Sequence, residues 1–356
     1  MSLTPSSSND PVRPGTQSAQ SLDSPALAAA ALSGTHAVTG AAEAGTRPPD
    51  GGAAARGTHA APGAAAPGSQ ARGTRPLLAR RIWQNKALFT GGGILLLILL
   101  IALLAPWISP HDPYVQNLAN RTIPPVWSER GSWVHPLGTD QLGRDYLSRI
   151  FYGARISLLI GASVALISGI IGTVMGMAAG YFGGRVDMVV SFLVTTRLSM
   201  PVILVALATV AIVGGSLWVV ILVLGLLKWD RFAVVMRSAT QQVRSLEYVA
   251  AAQAAGASTW RIVRGEVLPN VVPHLIVIAT LEAASAILLE ASLSFLGLGV
   301  QPPLPSWGLM ISEAKAYMFF SFWLISIPGT ALALLIFAIN LAGDGLHQFL
   351  TPQERT

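Results

Sequence analysis

The chain has 356 residues, of which 52% are hydrophobic and 11% are charged, and its net charge is +6. Soluble domains have roughly a quarter of their residues charged, so this composition excludes an ordinary water-soluble protein and indicates an integral membrane protein. The chain has no cysteine, which excludes disulfides and thiolate metal sites.

Residues 1–76 differ in composition from the rest of the chain. They are rich in Ala, Gly, Pro, Ser and Thr and contain almost no large apolar side chains. Such a segment cannot bury enough apolar surface to offset the entropy of ordering, so we expect a disordered cytoplasmic tail. An inert extension and a partner-binding or regulatory tail are both compatible with this composition.

Six apolar segments follow, and a membrane-spanning helix needs about 20 apolar residues. The hydropathy pattern predicts spans near 88–108, 156–180, 188–213, 217–237, 269–296 and 319–341, with a further amphipathic helix at 144–155. The predicted fold is therefore all-α and integral to the membrane, with six transmembrane helices. Arg80, Arg81 and Lys86 precede the first span and place the N-terminus in the cytoplasm; six spans then place the C-terminus there too.

A polar stretch at 247–270 separates the fourth and fifth predicted spans. Residues 250–255 have high helix propensity, and Gly256 suits the left-handed conformation that ends a helix. Ser258 or Thr259 can cap a second helix. These residues predict a helix–glycine–helix elbow, and on local physics alone both an ordinary cytoplasmic loop and a docking element for another subunit fit it.

Seven residues of this elbow form a recognisable pattern: Glu247, Tyr248, Ala251, Ala252, Gly256, Leu268 and Pro269. Their order and spacing resemble the EAA loop of ABC importer permeases. In that family the loop is the coupling helix, which docks into a cleft of the ATP-hydrolysing subunit. The resemblance therefore implies an ATPase-coupling role for these seven residues.

Three further stretches are distinctive, namely HPLGTDQLGRDYLSR at 135–149, EASLSFLGLGVQPPLPSWG at 290–308 and NLAGDGLHQFLTP at 340–352. They are similar to the dipeptide and oligopeptide permeases, and to the second, C-type membrane subunit of those importers. The resemblance covers about residues 75–356. It implies the six-helix fold of type I ABC importer permeases, with a cytoplasmic coupling helix.

The resemblance also implies a domain organisation and a function. A tail at 1–76 would precede the first transmembrane helix and an outer loop at 77–150. A permease domain at 151–345, with its coupling loop at 238–268, would then lead to a cytoplasmic tail at 346–356. The chain would be the permease subunit of an ATP-driven importer in the bacterial cytoplasmic membrane, forming half of the path for di- or oligopeptides by alternating access.

The implied partners are a homologous permease, two ABC ATPase subunits, a periplasmic or extracellular substrate-binding protein and the peptide itself. ATP and Mg would be bound by the ATPase subunits, and no cofactor by this chain. The same machinery for another cargo, such as a nickel chelate, glutathione or an opine, is an alternative. A non-transport membrane scaffold is a further one.

Ionisable residues at membrane depth are costly and mark functional or structural sites. Glu282 and Glu290 lie about two turns apart in the fifth span, with Ser285 near the same face. We expect a translocation path that attracts the amino terminus of a peptide, or else a structural role in hydrogen bonding. For Lys228, Asp230 and Arg231 we expect an interfacial structural cluster in which Asp230 pairs with another helix, and a substrate site is the alternative.

Enzymatic motifs are absent from the sequence. None of the three lysines follows a glycine, so no phosphate-binding loop of the GxxxxGK type is present, and neither HExxH nor GxSxG occurs. We therefore expect a chain that is not catalytic and holds no metal, with ATP hydrolysed by another subunit.

Overall fold

Apolar segments with few charges form helices in a membrane because a helix satisfies its own backbone hydrogen bonds. The computed structural model describes residues 86–350, and within this range the chain forms α-helices and no named strand. In chain order the helices are α1 (Lys86–Ile108), α2 (Tyr146–Phe182), α3 (Gly184–Leu198), α4 (Val202–Val213), α5 (Leu217–Leu227), α6 (Trp229–Arg244), α7 (Glu247–Ala254), α8 (Thr259–Ile262), α9 (Leu268–Phe295), α10 (Trp307–Ala314) and α11 (Trp323–Leu350). The predicted tail at 1–76 lies outside the described residues.

Four helical stretches in the described range are long and apolar enough to cross a membrane: Lys86–Ile108, Tyr146–Phe182, Thr259–Phe295 and Trp323–Phe349. A fifth is obtained if the bent pair α3 and α4 counts as one span. The all-helical membrane fold is thus confirmed, whereas the count of six spans stays a prediction.

Three predicted boundaries differ from the structure. The third predicted span, 188–213, is not one straight helix, because the chain bends by 81° between α3 and α4, just before Pro201. Proline has no backbone N–H and disfavours the helical conformation of the residue before it. The predicted fourth span is divided at Lys228, and the separate helix predicted at 144–155 is the first part of the 37-residue α2.

Helices α2 and α6 pack closely because glycines repeat every four residues along one face of α2. A Cβ on Gly172 would lie 2.3 Å from the carbonyl oxygen of Trp229, and a Cβ on Gly176 would lie 2.5 Å from that of Ala233. Small residues at this spacing let two helix backbones approach in a membrane. Helix α9 also contacts both α2 and α6, so these three helices form the centre of the described fold.

The long loop at 109–145 is held down by a buried ionic network, here called the loop charge cluster: Asp140, Arg144, Arg149 and Glu313. Asp140 Oδ2 accepts from Arg144 Nε at 2.6 Å and from Arg149 Nη1. Glu313 Oε2 lies 3.1 Å from Arg144 Nη2 and 2.8 Å from Arg149 Nη1. Two acids balance two bases, so the cluster ties the loop and the start of α2 to α10 without spare charge.

Asp145 completes this anchor by capping α2. Its Oδ2 accepts from the backbone N–H of Ser148 at 2.8 Å, and its Oδ1 lies 2.8 Å from Nδ1 of His135 and 3.6 Å from Nδ1 of His111. A side-chain acceptor at this position satisfies one of the unpaired N–H groups of a helix N-terminus. The motif at 135–149 therefore has a structural explanation in this fold.

Candidate functional site

The elbow at 247–270 has the helix–glycine–helix shape that its sequence predicts. Helix α7 ends at Ala254, Gly256 has φ +76°, and the N–H of Ala257 donates to the carbonyl of Ala252 at 3.1 Å. This bond across a left-handed glycine is a standard way to end a helix. Ser258 then caps α8 by accepting from the N–H of Arg261 at 3.4 Å.

One side of the elbow is fixed to the rest of the fold by apolar side chains. Val249, Ile262, Val267 and Val271 are almost fully buried. They belong to one cluster with side chains near the ends of α2 and α6, namely Met177, Tyr181, Met236 and Val243. Because the same cluster continues into α9, a force applied to the elbow would reach all three central helices.

The other side of the elbow is exposed. Of the seven residues that resemble the coupling motif, Ala252 and Leu268 are half-buried and the other five are exposed: Glu247, Tyr248, Ala251, Gly256 and Pro269. A Cβ on Gly256 would meet no heavy atom within 4 Å. At Ala251 and Gly256 this face lacks bulky side chains, so another protein surface can approach the backbone closely.

A side-chain hydrogen bond joins the first helix of the elbow to the start of α9. Asn270 Nδ2 lies 3.2 Å from Tyr248 Oη and donates to the carbonyl oxygen of Glu266 at 2.6 Å. A π-helical turn at Val263–Val267 connects α8 to α9 directly. The sequence did not predict that Asn270 hydrogen-bonds to Tyr248 and Glu266, although its position directly after Leu268 and Pro269 indicated that it belongs to the elbow.

Farther along α9 lies a second ionic network, here called the span charge cluster: Lys228, Arg231 and Glu282, with Ser285. Lys228 Nζ lies 2.6 Å from Glu282 Oε2 and donates to Ser285 Oγ at 2.8 Å. Arg231 Nη1 lies 3.3 Å from Glu282 Oε1. Lys228 and Glu282 are buried, whereas 64% of the Arg231 side chain is exposed.

The structure brings Glu282 and Ser285 together but gives Glu290 different partners. Glu290 is fully buried, and its Oε1 accepts from Ser294 Oγ at 2.7 Å and from Ser306 Oγ at 2.9 Å. Ser306 also caps α10 by accepting from the N–H of Leu309. Glu290 therefore ties α9 to the start of α10.

The ion pair with another helix that was expected for Asp230 is formed instead by the neighbouring residues Lys228 and Arg231. Within the described range, the ion pairs between α6 and α9 are made by Arg231 and by Lys228 just before α6, and Asp230 forms none. Asp230 is buried in the first turn of α6, where the helix N-terminus favours a carboxylate. The expectation that Asp230 pairs with another helix is thus wrong for the described residues.

A groove of about 470 Å³ is lined by residues of α2, α6 and α9. Its lining is almost wholly apolar and includes Gly169, Thr173, Phe232, Leu275 and Ala279. Phe232 is fully buried and Ala279 lies one turn before Glu282 on α9, whereas Arg231 is not among the residues that line the groove.

Comparison with known proteins places the chain in a family. Residues 172–356 match the model of the binding-protein-dependent transport system inner membrane component, and residues 77–125 match the N-terminal TM domain of oligopeptide transport permease C. A solved structure of the MetNI methionine ABC transporter in an inward-facing conformation is 19% identical to this chain, with a TM-score of 0.49. It covers 58% of this chain and 97% of that chain.

Curated relatives cover most of the chain. A di/tripeptide transport system permease protein DppC of Pseudomonas aeruginosa is 42% identical over 78% of this chain and 93% of its own length. Dipeptide transport system permease proteins DppC of Haemophilus influenzae and Bacillus subtilis are each 38% identical, over 76% and 78% of this chain and 92% and 85% of theirs. The chain therefore belongs to the family of binding-protein-dependent transport system inner membrane components.

Proposed function

We propose that this chain is the membrane-spanning permease subunit of an ATP-driven importer for di- or oligopeptides and forms half of the translocation path. Membership of a binding-protein-dependent transport family supports the transport role. The peptide cargo is supported by relatives at 35–42% identity whose names specify dipeptides or di/tripeptides. The observation that carries the mechanism is the elbow at 247–270, displayed on one side and anchored to three central helices on the other.

In this proposal the displayed face of the elbow docks on the ATPase. Glu247, Tyr248, Ala251, Ala252 and Gly256 form its contact surface, and Leu268 and Pro269 transmit its movement into α9. Small side chains and an open glycine permit close approach, and the buried valines of the elbow make it rigid. ATP binding that closes two ATPase subunits would move both elbows and rock the helices from one access state to the other.

The remaining subunits of the importer are separate proteins. A homologous permease completes the path, two ATPase subunits bind ATP and Mg, and a periplasmic or extracellular binding protein delivers the peptide. The chain itself holds no cofactor and is not catalytic. It lies in the bacterial cytoplasmic membrane with both termini in the cytoplasm, so the 109–145 loop faces the binding protein.

The permease domain would extend over 151–345, with its coupling loop at 238–268. Within it, Glu282 and Ser285 border the path through the span charge cluster. Glu290 lies farther along the same helix and keeps α9 and α10 together while the helices move.

Uptake measured on the reconstituted transporter tests the function. Proteoliposomes that contain both permeases and both ATPases, with the binding protein added, are expected to take up labelled alanyl-alanine in an ATP-dependent manner. Unlabelled di- and tripeptides are expected to compete. Uptake that peptides do not inhibit, but a nickel chelate, glutathione or an opine does, would replace the peptide cargo with that compound.

A further inference from the structure

The span charge cluster holds a cation at a depth where lipid cannot solvate it. Glu282 lies near the middle of α9, about 20 Å from either end of the helix at a rise of 1.5 Å per residue. Arg231 pairs with this residue and yet has 64% of its side chain exposed. Charged groups at such depth face a water-filled cavity or another protein surface. The exposed side of Arg231 therefore borders water or protein.

The charge that this cluster presents to its surroundings is positive. The carboxylate of Glu282 is shared between Lys228 at 2.6 Å and Arg231 at 3.3 Å, and Glu282 is itself buried. Lys228 is buried as well and also binds Ser285. Asp230 lies in the first turn of α6 and is buried. Arg231 is thus the exposed charge of the cluster, which suits an anionic group of the cargo better than an amino terminus.

A guanidinium group is well suited to a carboxylate. It carries five N–H donors in a planar fork that can bind both oxygens of a carboxylate at once. Only Nη1 of Arg231 contacts Glu282 among the described residues, and at 3.3 Å this contact is longer than that of Lys228. The other donors have no hydrogen-bond partner among the described residues and can bind a second anion.

We propose that Arg231 binds the C-terminal carboxylate of the peptide during its passage through the membrane. The inference rests on the proposed function, because every free peptide carries such a carboxylate. Glu282 and the peptide then compete for the same guanidinium. Glu282 lies on α9, which begins at the elbow. Movement of α9 therefore changes the strength of the Glu282–Arg231 ion pair, and this change controls when the peptide binds and is released.

Two substrates that differ only in this group test the proposal. ATP-dependent uptake of alanyl-alanine and of its C-terminal amide is measured on the complete reconstituted transporter at saturating loaded binding protein. Relative to the wild type, Arg231→Gln is expected to lower alanyl-alanine uptake about tenfold and to change that of the amide less than about twofold. Arg231→Lys keeps the charge without the fork, so its ratio of the two uptakes should be intermediate.

The ratio of the two uptakes is measured within one preparation of each variant. This ratio does not depend on the amount of transporter, and the binding protein's preference between the two substrates is the same for every variant. Arg237→Gln is the matched control, since Arg237 lies on the same helix but pairs with Asp187 through Nη2 at 2.7 Å. It should leave the ratio unchanged. An unchanged ratio in Arg231→Gln, including an equal or complete loss of both uptakes, would overturn the proposal and assign Arg231 to folding or to the contact with the second permease. Wild-type protein that imports neither substrate would instead contradict the proposed function.

Discussion

Two ionic networks of similar composition occupy different situations in this molecule. In the loop charge cluster, Asp140 and Glu313 enclose two arginines, and all four side chains are at most 15% exposed. In the span charge cluster, one carboxylate serves two cations and Arg231 is largely exposed. A network in which acids and bases balance stabilises the structure. A network with one exposed, incompletely paired cation can in addition bind an anion.

The largest effect on stability is expected from the balanced network. Asp140→Asn removes the charge that faces both Arg144 and Arg149, and leaving buried charges uncompensated costs about 3–5 kcal/mol. We expect a clear fall in the thermal unfolding temperature of the purified permease. Glu129→Gln, an exposed position in the same loop, is the control and should change the free energy of unfolding by less than about 0.5 kcal/mol. Equal stability of the two variants would show that the network does not anchor the loop.

Glu282→Gln tests the open network by removing its only carboxylate. Lys228 and Arg231 then repel each other at membrane depth, so we expect uptake of alanyl-alanine to fall about 10- to 100-fold, a change of about 1.4–2.8 kcal/mol. Glu290→Gln is the matched control on the same helix. Its partners are hydroxyl groups, and the amide oxygen can still accept from Ser294 and Ser306. Equal loss of uptake in Glu282→Gln and Glu290→Gln would contradict a specific role of the span charge cluster in transport.

Gly256→Val tests whether the elbow drives the span charge cluster. No atom blocks a side chain at this position, so the effect arises from the left-handed backbone, which costs a β-branched residue about 1–3 kcal/mol. We expect fewer peptides transported per ATP hydrolysed. The unfolding temperature should fall less than in Asp140→Asn, because a strained backbone costs less than uncompensated buried charge.

The control at this position is Gly256→Asn, because asparagine tolerates the left-handed conformation. It should retain more of the coupling ratio than the valine variant. Normal uptake per ATP in Gly256→Val would remove the elbow from the coupling mechanism.

The smallest effect is expected for Tyr248→Phe. It deletes the hydrogen bond from Asn270 to Tyr248 Oη while keeping the ring, which costs about 0.5–1.5 kcal/mol. We expect a reduction of the transport-to-ATPase ratio of at most several-fold, with unchanged insertion. A variant that couples as well as the wild type would show that this hydrogen bond is not needed to transmit movement from the elbow to α9.

The elbow and the long apolar helices were predictable from sequence because their signals are local. Alanines followed by Gly256 and Ser258 give both helices and the break between them. The ionic partners were not predictable, because they depend on helix rotation. Neighbouring residues on a helix point about 100° apart, so a change of one position moves the pairing from Asp230 to Arg231.

The loop charge cluster illustrates a second limit. Its arginines belong to a motif visible at 135–149, but their partner Glu313 lies 169 positions away from Arg144. No local pattern links the two. The bend before Pro201 was, in contrast, a local signal, since proline was visible within the predicted third span.

The docking of the elbow on the ATPase is the central claim, and the absence of cysteine in this chain allows a direct measurement. Ala251→Cys is combined with a single cysteine in the cleft of the ATPase subunit, and disulfide formation is followed in the assembled transporter with and without ATP. We predict a cross-link whose yield changes on ATP binding, and none for the control Trp133→Cys in the 109–145 loop. Cross-linking absent at Ala251, or equal at both positions, would contradict the account.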